Sequence, residues 1–240
     1  GHAWVKTRWI DRNFPEEELG IAHKFAFVPA LPIDNPSLAE SYLETLGSLP
    51  ENIRKAYLEG NWDVFEGQYF SEWDKNVHSV VPFQIPDTWK RFRSYDYGYE
   101  APAVCKWYAL DFDGRVWVYR EQYWQKGHKT SADEQARQIS ALSEGETYEY
   151  SVADPAIFSP TGMIDKDGGQ TIAESFIRHG VTFMRASNRR IDGWNLLHQY
   201  LRHKNEVPKI LYFSTCVDSI RTIPTLVHDK IKPEDLDTDG

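Results

Sequence analysis

Two aspartates stand where an extended, aromatic sequence gives little reason for a charge. Asp96 interrupts Ser94-Tyr95-Asp96-Tyr97-Gly98, and Asp154 closes Val152-Ala153-Asp154-Pro155. A carboxylate set into a buried strand is costly unless something partners it. Two carboxylates delivered by neighbouring strands would repel each other, and a divalent cation resolves that repulsion. Hard oxygen ligands suit Mg2+ or Mn2+, which complete their shells with water and substrate phosphate. Two such ions, about 3.5–4 Å apart, stabilise the attacking and leaving oxygens of a phosphodiester cleavage. Taken singly, an aspartate at a strand end before proline or glycine serves equally well as a turn residue.

The elements that must position this pair are legible from about residue 88 onward. KRFRSYDYG, APAVCKWYALDF and RVWVYREQYW are rich in β-branched and aromatic residues and read as three strands. DFDGR joins the second to the third, with Asp113-Gly114 as its hairpin signal. A helix is expected over 131–142 with Ser131 as its cap. YEYSVADPA reads as a fourth strand, QTIAESFIRHG as a helix closed by Gly180, and VTFMRA as a short strand. RIDGWNLLHQYLRHK is a helix carrying Ile191, Trp194, Leu197 and Leu201 on one face; PKILYFS is a strand, and CVDSIRTIPTLVHD a helix that Pro224 would bend. Strands in succession followed by helix–strand alternation imply an α/β fold, a mixed sheet flanked by helices.

Residues 1–87 have a different texture. GHAWVKTRWI alternates loosely, as a strand would, and KFAFVPALPIDNP is an extended apolar piece broken by prolines. A helix is expected after Asn35 as cap and Pro36 in its first turn, with a second over 51–59 stopped by Gly60. Nothing in this stretch forms an obvious core, so it reads as a helical linker or subdomain, with 88–240 as the main domain.

Composition narrows the class. The 240 residues are 41% hydrophobic, which is enough apolar material for a packed core and excludes a disordered chain. No apolar run approaches the roughly 18 residues of a membrane span, and the first residues carry no apolar signal segment. Cys105 and Cys216 lack metal-binding spacing and read as buried small hydrophobes in a reducing compartment. The net charge of −9 argues against nonspecific DNA coating, though not against a local basic patch beside an acidic site. Arg189 and Arg190 supply one such patch at an expected helix start, where they would either touch phosphate or lie solvated on the surface. The loop FSPTGMIDKDGGQ is long enough to close over a substrate with Lys166 on phosphate, or to serve as an ordinary flexible loop. Of the eight histidines, His198 and His203 lie five apart, a poor ligand spacing on one helix face, and all eight read as structural or exposed. The aromatics of 107–124 alternate as packing residues do, more than as a base-stacking platform.

DYGY with the hairpin after it, VADPA, and the following helix–strand alternation resemble the C-terminal nuclease domain of tailed-bacteriophage large terminase subunits. YLETLGSLPENIRKAYLEGNWDVFEGQYFSEW upstream, and SNRRIDGWNLLHQYL and LYFSTCVDSIRTIPTLVHD downstream, resemble the same family in the same order. The resemblance implies an RNase H-like fold, with 1–87 as the end of an ATPase domain plus linker and 88–240 as the nuclease. It places Asp96 and Asp154 as the first and second catalytic, metal-binding acids. A third is expected near the C-terminus, where Asp235, Asp237 and Asp239 are candidates; Asp239 is taken as the ligand, with a residue beyond Gly240 as the alternative. The family's Asp-His segment does not occur. Neither does a Gly-x-x-x-x-Gly-Lys-[Ser/Thr] phosphate loop, so no ATP hydrolysis is expected of this chain.

The expected function is therefore a Mg2+- or Mn2+-dependent endonuclease that cuts concatemeric double-stranded DNA in the host cytoplasm. By resemblance, its partners are a small terminase subunit and a procapsid portal. Two other readings stay open: a structure-selective nuclease or resolvase sharing this fold, and a non-catalytic DNA-binding or docking module.

Overall fold

The computed structural model describes residues 5–47, 54, 57–58, 60, 68–160, 171–204, 207–229, 231–232 and 234–237. Two compact units divide the chain. One comprises Gly1–Ser71 with Thr222–Gly240, and the other Glu72–Arg221.

Among its described residues the second unit holds a seven-stranded mixed sheet. Its strands are β1 (Ser79–Val80), β2 (Lys90–Asp96), β3 (Ala103–Leu110), β4 (Val116–Trp124), β5 (Tyr150–Ala153), β6 (Met184–Arg185) and β7 (Ile210–Phe213), in the order β1-β7-β4-β3-β2-β5-β6. β2, β3 and β4 form an antiparallel meander, while β5 runs parallel to β2, β6 parallel to β5, and β7 parallel to both β4 and β1. The expected α/β architecture, a mixed sheet flanked by helices, is thus present. The hairpin turn forms as its residues dictate. Gly114 takes a left-handed φ of 78°, while Asp111 accepts hydrogen bonds from the backbone of Asp113 (2.9 Å) and Arg115 (2.8 Å) and from the Trp117 indole (2.9 Å).

Strand alternation divides the sheet into two faces. Arg91, Arg93 and Tyr95 on β2, and Ala103, Cys105, Trp107 and Ala109 on β3, are all buried. Helices α3 (Ala132–Leu142) and α4 (Ile172–Arg178) cover this face. Tyr95 lies against the Phe176 ring of α4 at 4.7 Å, and the Trp124 indole donates to Gln138 of α3 at 3.0 Å. Arg93 is tolerated here because its guanidinium donates to Ser151 (3.0 Å) and Ser143 (2.7 Å) and lies 4.0 Å from the Tyr148 ring centroid. On the opposite face Phe92, Tyr108 and Tyr150 stack in a row at 5.4 Å spacing. The hairpin aromatics therefore pack, as their alternation suggested: Trp107 is fully buried and Trp124 and Tyr119 nearly so. Both cysteines are buried and free.

Helix α3 begins where expected, with Ser131 accepting from Glu134 N–H at 3.2 Å. In α4, Thr171 and Glu174 form a reciprocal capping box, and Gly180 follows the helix in a left-handed conformation (φ 74°). Helix α5 spans Arg190–Leu201. The short helix α2 (Lys75–His78) and strand β1 were not anticipated. Their anchor is the fully buried His78, whose Nε2 donates to the Leu201 carbonyl at 2.8 Å and whose Nδ1 accepts from Asp74 N–H at 3.0 Å.

Within the first unit, the extended reading of the N-terminus is corrected. Lys6–Ile10 forms a turn of π-helix, and Trp9 packs edge-on against Phe25 at 5.0 Å; that contact outweighs a loose alternation. The helix expected after Asn35 begins later, as α1 (Glu40–Gly47), because the Asn35 side chain accepts from Ser37 N–H at 3.0 Å and closes a turn of its own. The helix expected over 51–59 falls largely outside the described residues. Helix α6 (Val217–Thr222) gives way to a 3-10 turn at Ile223–Thr225, since Pro224 has no N–H to continue the ladder. No described helix is long and apolar enough to cross a membrane.

Candidate active site

Asp96 is the last residue of β2, and strand alternation turns it away from the helix-covered face on which Tyr95 is buried. Asp154 follows the last residue of β5. Because β5 lies parallel to β2, with Tyr95 opposite Ala153, the two strands end at the same edge of the sheet. The Asp154 N–H donates to the Tyr95 carbonyl at 3.3 Å, which ties the second aspartate to the residue before the first. Asp154 then caps a 3-10 turn, Pro155–Phe158, its Oδ1 accepting from Ala156 N–H at 2.7 Å. Its other carboxylate oxygen makes no hydrogen bond within the turn. Both aspartates reach solvent.

The β2–β5 register sets the two carboxylates beside one another. Burial of its surroundings raises the Asp96 carboxyl above its ordinary range, and the Asp154 charge raises it further; a hydrogen bond from the Tyr97 backbone opposes both. Paired strand-end carboxylates that repel one another and remain open to water form a hard-oxygen donor set, suited to a divalent cation. Among the described residues, no group of three or more Asp, Glu, His or Cys side chains is arranged to hold a metal. The structure therefore brings two acids together.

Asp96 is held from both sides by a residue that sequence reasoning missed. Gln135 is fully buried on α3. Its Oε1 accepts from the Tyr95 hydroxyl at 2.7 Å, and its Nε2 donates to the carbonyls of Gly98 (2.9 Å) and Thr130 (2.8 Å). The residue before Asp96 and the second residue after it are thus fastened to one amide. Gly98 has no room for a side chain, since a Cβ there would lie 2.3 Å from the carbonyl oxygens of both Ala101 and Pro102. The available signal for Gln135 was a polar residue one turn before Ile139, on the stripe that α3 buries.

The other expected site residues divide. Arg189 is the N-cap of α5, exposed, and paired with Asp192 at 3.1 Å. Arg190 opens that helix and is also exposed. Lys166 and Asp239 lie outside the described residues. Asp235 and Asp237 belong to the first unit, where their backbone N–H groups donate to Lys232 (2.8 Å) and Val227 (3.0 Å). His198 is structural as expected, bonded to Glu72 at 2.9 Å.

No protein-family model matches the chain, and no curated protein sequence matches it. Solved structures do. The large terminase of a thermophilic bacteriophage is 18% identical with a TM-score of 0.55, over 99% of this chain and 56% of that one. The P22 large terminase nuclease domain is 14% identical with a TM-score of 0.54, over 72% of this chain and 84% of that domain. The HK97 bacteriophage large terminase is 11% identical with a TM-score of 0.51, over 85% of this chain and 47% of that one. The chain spans little more than half the length of the thermophilic phage terminase. At these identities the likeness establishes the fold, and the fold is that of the large-terminase nuclease.

Proposed function

We propose that this chain carries a divalent-metal-dependent endonuclease for double-stranded DNA, as part of a viral DNA-packaging terminase. One observation carries the reading: on a fold shared with a terminase nuclease domain, Asp96 and Asp154 meet at one sheet edge, solvent-accessible and close enough for one to raise the other's pKa. An ordinary turn aspartate accounts for either residue alone but gives no reason for the pair.

In this reading Asp96 and Asp154 would hold Mg2+ or Mn2+, as one ion or two. When bound, the metal supplies Lewis-acid chemistry, activating water and neutralising charge that develops on the phosphodiester. The chain's own residues do the rest. Gln135 and Gly98 fix the segment that carries Asp96, and the turn Pro155–Phe158 fixes Asp154. Arg190 and Lys166 are proposed as phosphate contacts, with Arg189 in the same role only where it gives up its pair with Asp192, and Asp239 as a third acid with Asp235 and Asp237 as alternatives. Residues 1–87 are read as the end of an ATPase domain with its linker, and a small terminase subunit and a procapsid portal are proposed as partners in the host cytoplasm. Cutting is proposed to show little sequence preference, with contacts to the phosphate backbone outweighing contacts to bases.

The test is cleavage of supercoiled plasmid by the 240-residue chain with Mg2+, Mn2+ or EDTA. Nicking and linear product should require metal and vanish in Asp96→Asn and Asp154→Asn. Cleavage that survives both substitutions, or the absence of cleavage with either metal, sinks the proposal.

A further inference from the structure

An acidic pair repels the polyanion it must cut, so a nuclease reading needs a cation near the acids that is not already neutralised. Arg189 is poorly placed for this, because its guanidinium is engaged by Asp192. The geometry points to Arg185 instead, and we infer that Arg185 holds a DNA backbone phosphate beside Asp154. This inference rests on the nuclease reading above and deepens it.

Three observations carry it. First, the backbone of Arg185 is locked to the acid-bearing strand: Arg185 pairs with Ala153 in the β5–β6 ladder, and the next residue, Ala186, donates to the Ala153 carbonyl at 2.8 Å. Arg185 therefore sits level with the residue that precedes Asp154. Second, its side chain lies along the turn that Asp154 caps. The guanidinium stands 4.9 Å from the Phe158 ring centroid, and Nη1 donates a long 3.4 Å hydrogen bond to the Pro155 carbonyl. An arginine held over an aromatic ring keeps its charge and further N–H groups available to the oxygens of a phosphate. Third, Arg185 is exposed, and among the described residues no carboxylate forms an ion pair with it. Proximity to Asp154 without neutralisation by it is what a substrate-binding arginine at this edge requires. An arginine serving only to hold the turn together would be expected to pair with that carboxylate.

The test is fluorescence anisotropy of a labelled duplex titrated with the full chain in EDTA, repeated between roughly 50 and 200 mM salt. Arg185→Gln should weaken binding about tenfold at the low-salt end and flatten the slope of log K against log salt by about 0.9, the loss of one phosphate contact. Arg185→Lys keeps the charge and should keep the wild-type slope with weaker binding. A wild-type affinity and slope in Arg185→Gln, or a slope that falls equally in Arg185→Lys, overturns the inference. Plasmid cleavage by Asp96→Asn separates this failure from that of the underlying reading. If Asp96→Asn is inactive while Arg185→Gln binds as wild type, the nuclease stands and the role of Arg185 falls. If Asp96→Asn cuts as wild type, both fall.

Discussion

Replacing Gln135 with methionine tests whether the Asp96 segment is held by the amide or by its own strand. The side chains have similar length, so the change removes hydrogen bonds with little change in volume. Three bonds go: from the Tyr95 hydroxyl, and to the carbonyls of Gly98 and Thr130. Tyr95 and Gly98 are buried and Thr130 is half-buried, so two groups are left in the interior without a partner. Each such orphan costs about 1–3 kcal/mol, and the apolar methionine side chain returns about 1 kcal/mol. The expected loss is therefore about 1–5 kcal/mol in urea unfolding followed by circular dichroism, or roughly 3–15 °C in Tm for a unit of this size. Tyr95→Phe alone should cost about 1 kcal/mol, and the double variant should fall short of additivity by a similar amount, because both changes delete the same bond. Plasmid cleavage should drop by about tenfold or more with duplex affinity unchanged, since a displaced ligand costs rate before it costs binding. Stability within about 0.5 kcal/mol of wild type, or an additive double-mutant cycle, would refute the anchoring role.

Two further outcomes follow from the site. Asp96 has a folded pKa raised by burial and by Asp154. Between its ordinary value and that raised value the folded chain binds more protons than the unfolded one, so metal-free stability falls as pH climbs through the window and stays reduced above it. Asp96→Asn removes this penalty. In EDTA it should unfold about 1–3 °C higher than wild type near neutral pH, a small gain because the group reaches solvent, while added Mn2+ should stabilise wild type and leave the variant unmoved; identical pH profiles for the two proteins would contradict the repulsion. Gly98→Ala forces a Cβ against two backbone carbonyls. It should cost about 2 kcal/mol or more and abolish measurable cleavage, whereas wild-type activity in that variant would show that the loop can shift without moving Asp96.

How much of this was legible beforehand depended on the range of each interaction. The meander β2–β4, the capped helix α3 and the Gly180 stop are local events, set by alternation, a serine cap and a left-handed glycine, and all were readable. So was the strand-end position of Asp154, whereas Asp96 was read within a strand that in fact ends at it. What escaped is nonlocal. β1 is two residues long and exists through pairing with β7, far along the chain, and His78 reports it only once the Leu201 carbonyl is known to lie opposite. Arg185 looks like an ordinary residue of a short strand until the β5–β6 register sets it beside Ala153. Arg189 drew attention as one of a basic pair, yet Asp192, three residues on, already answers its charge.

The topology explains why the acids come from these two strands and no others. β3 also borders β2, but it is antiparallel, so the residue opposite Asp96 is Val104, near the start of β3. An antiparallel neighbour offers a strand beginning at this edge; only a parallel one offers a second strand end, with its following turn free to present a side chain. Parallel neighbours need a crossover of about a dozen or more residues, and here that crossover contains helix α3. The same helix carries Gln135. The element that makes β5 parallel to β2, and so brings Asp154 to Asp96, is thus also the element that fixes the backbone on either side of Asp96. Loosening α3 should therefore damage both acids at once, and substitutions at the Gln135 position should weaken metal-dependent stabilisation of the wild-type Asp96–Asp154 pair as well as the cleavage rate.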